Sequence, residues 1–215
     1  MINFNSITLT ALQKLLAPYI NPLIGTWYRA IQLKFTPTAL QYSHTATESS
    51  RFGSGTTAKP AYPLLYLAEN HQVSLLEVQA ILGSPGSGIV VPNPRSAWAI
   101  LNVAVNLHEV ADLTDPSAQA ALNTSAQELT GDWAGYKLRA RSGATITAPV
   151  GNAPTQELGA RLYRLPKLQG FLTVSSKAPD RQNLVIFPDK IKTYAKSFIQ
   201  FTDPATGKIH KIPQR

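Results

Sequence analysis

The 215-residue sequence contains no cysteine, which removes disulfides, thiolate metal sites and a cysteine nucleophile from consideration. Its four histidines are scattered, with no HxH or HExxH spacing, so the residue types that bind metals are not grouped in a metal-binding pattern. No run of about eighteen apolar residues would span a bilayer. The N-terminal MINFNSITLTALQKLLAPYI also lacks the basic region that precedes the apolar core of a secretory signal. Internal repeats and low-complexity tracts are absent too. A cytoplasmic, non-membrane protein is the expectation, and the length suffices for one substantial core without requiring a second domain.

Acidic residues are also scarce: 20 basic residues against 12 acidic ones leave a net charge of +8. Much of the excess lies near the C-terminus, where Lys190, Lys192, Lys196, Lys208, Lys211 and Arg215 face only Asp203. Such a strip suits nucleic acid or an acidic partner. It carries no zinc pattern, recognition-helix motif or RNP-like aromatics, so a solvated or partner-facing edge is expected in place of direct nucleic-acid binding.

Leu9, Leu12, Leu16 and Tyr19 recur at helical spacing and predict an amphipathic helix that stops near Pro18 to Pro22. TWYRAIQLKF (residues 26–35) alternates as a strand, with Trp27, Arg29 and Ile31 on one face and Tyr28 and Ala30 on the other. PLLYLA reads as a buried strand, and VSLLEVQAIL (residues 73–82) as the helix that follows it. SAWAILNVAVNLHEVADL is a core helix or strand. SAQAALNTSAQELTGDW and TQELGARLYRL are helix-prone. QGFLTVSS and QNLVIF are strands about the KAPDR turn, and SFIQFTD and GKIHKIP flank DPATG as a terminal hairpin. Strands and helices without regular βα alternation predict an α+β fold, a single compact domain with a mixed β core. Its expected parts are an N-terminal helical extension (1–23), a main domain (24–190) and a basic C-terminal hairpin packed on it (191–215).

Two charged side chains stand in apolar surroundings. Arg29 shares a strand face with apolar neighbours, where an arginine either snorkels to solvent or is held ready as a bidentate anion ligand. Glu77 follows Ser74 by three residues, the spacing of a capping box at a helix start; the alternative is a carboxylate on a rigid helix end that meets a substrate.

The order of short motifs along the chain resembles the RES domain family. Tyr28-Arg29 is followed by SSRFGSG around Arg51, YLA at 66–68, LEV at 76–78, DLTD at 112–115, TQELG at 155–159, Ser175-Ser176 and NLVIF at 183–187. Two departures are visible: the turn around Arg51 replaces the family's GGRWN, and an Ala/Thr/Gly/Pro-rich insertion occupies residues 139–154. The resemblance implies a fold related to ADP-ribosyltransferase toxins and an enzyme that consumes NAD by cleaving the nicotinamide-ribose bond, passing ADP-ribose to water or inorganic phosphate. It also implies a DNA-binding antitoxin as partner. By the same resemblance Glu77 would stabilise positive charge at the anomeric carbon, and Arg29 and Arg51 would hold phosphate groups. Tyr28 and Tyr66 would offer ring faces to the cationic nicotinamide, and Ser175 or Ser176 would orient the ribose or the acceptor. Ser175 is favoured by its distance from Gly170. No metal is implied. Protein ADP-ribosylation and a non-enzymatic basic binding module are the alternatives.

Overall fold

The computed structural model describes residues 7–84, 89–92, 96–139, 143 and 151–213; Arg215 and most of the 139–154 insertion lie outside them. Helix α1 (Leu9–Leu16) is capped by Thr8, whose side chain accepts from the Ala11 amide at 3.2 Å, and it buries Leu12 and Leu16. Strand β1 (Ile20–Gln32) begins earlier than the alternation predicted, inside the stretch expected to belong to the helical extension. It is followed by a 3-10 segment, Leu33–Thr38. β2 (Leu65–Ala68) leads into α2 (His71–Glu77), then β3 (Ile81–Ser84) and β4 (Ile89–Pro92) form a small separate ribbon.

The ambiguous apolar stretch is β5 (Trp98–Asp112), 15 residues long. Leu101, Val103, Val105 and Leu107 are buried while Asn102 and Ala104 are exposed, which is the period of two that a strand requires and a helix cannot supply. After it come α3 (Pro116–Ala121), α4 (Ala126–Leu129), α5 (Pro154–Arg164), β6 (Gly170–Val174), β7 (Gln182–Ile186), β8 (Phe198–Thr202) and β9 (Ile209–Ile212). The Ala-rich segment expected to be helical is thus two short helices. Asn123 at φ 54° ends the first, and Ser125 starts the second by accepting from the Glu128 amide at 3.2 Å.

The main sheet runs β1-β2-β7-β6-β5-β8-β9, and β5 also pairs back onto β1, so five of the strands close on themselves. β5 and β6 are parallel and the other pairs antiparallel. The connection between the two parallel strands carries α3, α4 and α5, as a parallel pair demands a crossover. β1 touches β2 at the single register pair Tyr28↔Ala68, and the Tyr28 ring meets His71 at the start of α2. One buried cluster, including Trp27, Leu65, Leu67, Leu101, Val103 and Ile199, packs between the strands. A second, including Leu12, Leu16, Phe52, Leu158, Leu162, Phe171 and Phe187, joins the helices to the sheet. The architecture is the single mixed-sheet α+β domain read from the sequence.

α5 fixes the loop that carries Arg51. Gly159 lies so close to that loop that a Cβ there would sit 2.2 Å from the Phe52 carbonyl oxygen, so a side chain at this position would force the helix away. Gln156, buried beside it, donates to the carbonyls of Ser50 (2.9 Å) and Gly53 (3.2 Å) and to Ser49 Oγ (3.1 Å). Tyr62 donates to the Phe52 carbonyl at 2.5 Å. The TQELG motif therefore serves to hold the arginine loop. At the other end of the chain, β8 adds to the free edge of β5, and β9 pairs with β8. The basic strip is only partly solvated: Lys190 donates to the Tyr163 carbonyl and, at 2.7 Å, to that of Leu165, which satisfies the end of α5. Among the described residues no helix is long and apolar enough to cross a membrane, and no group of three His, Cys, Asp or Glu is placed to hold a metal ion.

Candidate active site

Glu77 is the last residue of α2, not an early one. Asn70 takes the capping position that the sequence offered to Ser74: its side chain accepts from the Val73 amide at 2.9 Å, while the Ser74 hydroxyl donates back to the His71 carbonyl at 2.7 Å. The helix also stops short of the predicted 82, because Gln79 adopts φ 57° and the amides of Gln79 and Ala80 close onto the carbonyls of Leu76 (3.0 Å) and Leu75 (2.9 Å). Glu77 is consequently free of any capping duty. Its carboxylate sits at the negative end of the helix, where the local backbone opposes it, so other groups must hold it in place.

Three do. Ser175 Oγ donates to Glu77 Oε1 at 2.6 Å, and Asn183 Nδ2 donates to the same oxygen at 2.7 Å. The other oxygen, Oε2, lies 3.9 Å from Arg51 Nη2. Arg51 Nη2 is also hydrogen-bonded to Ser176 Oγ, and its Nε is buried without a partner. Ser175 itself is wholly buried and accepts from the amides of Lys177 (3.2 Å) and Ala178 (3.1 Å), so its hydroxyl proton is directed at the carboxylate. The two adjacent serines have different tasks: Ser175 orients the acid, and Ser176 orients the base.

Glu77, Tyr66 and Asn183 stand between two cavities. The smaller, about 280 Å³, is lined by Tyr28, Arg29, Leu64, Leu67, Ala68 and Val78 in addition to those three. The larger, about 620 Å³, takes in Arg51, Ser176, Lys177 and Trp133. Arg29 projects from the middle of β1 with Nη1 buried and without a hydrogen-bond partner. Burial lowers its pKa to about 10, which leaves it cationic at neutral pH. A buried cation with an unpaired donor favours an anionic ligand. The Tyr28 ring packs at 4.1 Å, tilted, on His71. The Tyr66 hydroxyl bonds Ser50 Oγ at 3.0 Å and accepts from the Phe52 amide at 3.3 Å, and burial pushes its pKa up, so it is a neutral anchor of the arginine loop.

The structure thus brings Tyr28, Arg29, Arg51, Tyr66, Glu77 and Ser176 to the walls of one two-lobed cleft, with Ser175 directly behind Glu77. Arg29 and Arg51 occupy different lobes. Asn183 escaped the reading of the sequence. The signal available was an asparagine at the head of an apolar strand, a residue type that strands disfavour.

This arrangement accompanies a match of the sequence to the RES domain over residues 26–206. The chain belongs to the RES domain family. Among the curated proteins none matches it in sequence. Among solved structures, the RES chain is similar to one in the crystal structure of the M. tuberculosis MbcT-MbcA toxin-antitoxin complex, with a TM-score of 0.57 at 18% identity over 94% of this chain and 90% of that one. At that identity the likeness establishes a shared fold. The cleft residues of this RES domain rest on the geometry given above.

Proposed function

We propose that this RES domain is an NAD-consuming toxin that breaks the bond between nicotinamide and ribose and passes ADP-ribose to water or inorganic phosphate. The observation that carries the reading is the Glu77 carboxylate at the junction of the two lobes, with one oxygen fixed by two donors and the other turned toward Arg51. In the cleavage the C1′–N1 electron pair leaves with nicotinamide, which becomes neutral, and positive charge develops on the ribose C1′ and ring oxygen. A fixed carboxylate beside that carbon stabilises the charge without having to reorganise. The acceptor oxygen then adds to C1′ and releases its proton. Arg29 and Arg51 suit the pyrophosphate or an incoming phosphate, and Tyr28 offers an aromatic surface to the pyridinium ring in the smaller lobe.

The toxin-antitoxin character of the structural neighbour supports a cognate antitoxin, expected to be a DNA-binding protein that covers this cleft, and a cytoplasmic site of action. Incubating the purified protein with NAD in phosphate-free and in phosphate buffer, and measuring nicotinamide and the ADP-ribosyl product, tests the reading and identifies the acceptor. Nicotinamide release by the wild type and its loss in Glu77→Gln are expected. Folded wild-type protein that leaves NAD intact in both buffers would overturn it. Label transferred from NAD to a macromolecule would point to protein ADP-ribosylation.

A further inference from the structure

The proposed cleavage assigns no task to Trp133, yet this side chain stands where three cavities meet. It lines the 620 Å³ lobe that holds Arg51, Glu77 and Ser176, and also neighbouring cavities of about 600 and 390 Å³. The residue is half-buried, so the indole is packed on part of its surface and open on the rest. A short turn presents it, in which Asp132 Oδ1 accepts from the Gly135 amide at 3.0 Å. An aromatic side chain thus lines the same cavity as Arg51 and Lys177.

The two lobes are unequal in size and in chemistry. The one containing Tyr28, Leu64, Leu67, Ala68 and Val78 has about 280 Å³ and is mainly apolar, with Arg29 as the cation in its wall, a size that suits a single ring. The one containing Arg51, Lys177, Ser176 and Trp133 has about 620 Å³ and is polar, with Arg51 and Lys177 set against Glu77 and Asp132. A dinucleotide cleaved at Glu77 must place its leaving ring on one side of that carboxylate and the remaining diphosphate, ribose and second base on the other. The larger lobe has the room for that second part, two cations and a flat aromatic wall. We infer that Trp133 is the stacking wall for the purine base of the substrate, and so a specificity-determining residue. The assignment rests on the NAD reading, which supplies the second base.

Two measurements test this. Titration of the wild type with ADP-ribose, which needs no turnover, is expected to quench tryptophan fluorescence, and Trp133→Phe is expected to abolish the quench while retaining most of the affinity through its ring. In turnover, Trp133→Ala is expected to raise the KM for NAD about tenfold more than the KM for nicotinamide mononucleotide, which lacks the adenylate half, the size of effect typical of losing one base-aromatic stack. Trp133→Phe restores the ratio. A quench that survives in Trp133→Phe, or equal changes in KM for both substrates in Trp133→Ala, overturns the assignment while leaving NAD cleavage standing. Absent NAD turnover with an intact Trp133-dependent quench upholds the purine wall and removes the NAD reading. Trp133→Phe with a wild-type melting temperature but neither quench nor discrimination in the wild type is decisive against the wall.

Discussion

Ser175→Ala separates an orienting role from a substrate-binding one. The hydroxyl is wholly buried, donates to Glu77 Oε1 at 2.6 Å and accepts from two backbone amides at 3.1 and 3.2 Å. Its removal takes one of two donors from a charged oxygen, a bond worth about 1.5 to 3 kcal/mol, and leaves two amides short of an acceptor at roughly 0.5 kcal/mol each for such long bonds. The loss should total about 2.5 to 4 kcal/mol, which in a domain of this size lowers Tm by roughly 5 to 15 °C. Activity should fall through kcat, about 10- to 100-fold, because the carboxylate keeps its chemistry but loses its fixed direction, and KM should change little. Thermal melts and NAD kinetics on the same preparation read both effects. If Ser175→Ala instead keeps kcat and Tm and raises KM, the hydroxyl contacts substrate and the geometric reasoning is wrong.

Ser176→Ala, which removes the partner of Arg51, is expected to raise KM severalfold with a smaller effect on Tm, so the two neighbouring serines should give opposite kinetic patterns in parallel assays. Asn183→Asp sets a second carboxylate against Glu77; shared protonation keeps the pair bonded at low pH, so activity relative to wild type should decline as pH rises, and a ratio independent of pH would contradict the Asn183-Glu77 bond. Gly159→Ala drives a methyl group into the Phe52 carbonyl and should cost about 2 kcal/mol or more by overpacking; denaturant midpoints measure it, and a neutral result would mean α5 does not rest on the arginine loop. Burial lowers Lys190 from 10.5 to about 8. Between those values the unfolded chain binds more protons than the folded one, so this group makes stability rise with pH from about 8 to 10.5, and Lys190→Met should flatten that part of the curve in a pH series of urea melts.

The alternation of TWYRAIQLKF marks β1 as a strand, although the residues buried there are Trp27 and Ala30 and not every second one; β5, where burial does alternate, is the stretch the sequence leaves open as helix or strand. What the residues left undecided was set by competition among backbone groups. Asn70 outcompeted Ser74 for the cap of α2 because it stood one residue before the first helical position with its side-chain oxygen on the Val73 amide. Gln79 turned left-handed and ended the helix at Glu77, although Leu and Val around it favour continuation. Nothing local forecasts that, since the chain leaves the helix to enter β3 at Ile81.

By itself the sequence determined that there would be no cysteine chemistry, that a mixed α+β core would form, and that the motifs from Tyr28 to Phe187 followed the RES order. Those properties depend on composition and on short-range periodicity, which survive without knowledge of the fold. Only the tertiary structure decided that Ser175 faces Glu77 while Ser176 faces Arg51, that Arg29 and Arg51 serve opposite lobes, and that Asn183 and Trp133 belong to the cleft. The serine and asparagine contacts join residues 98, 125 and 106 positions apart in the chain, brought together when β2, β7 and β6 align side by side. The free energy that holds such groups comes from packing and pairing across that alignment, and no local pattern encodes it.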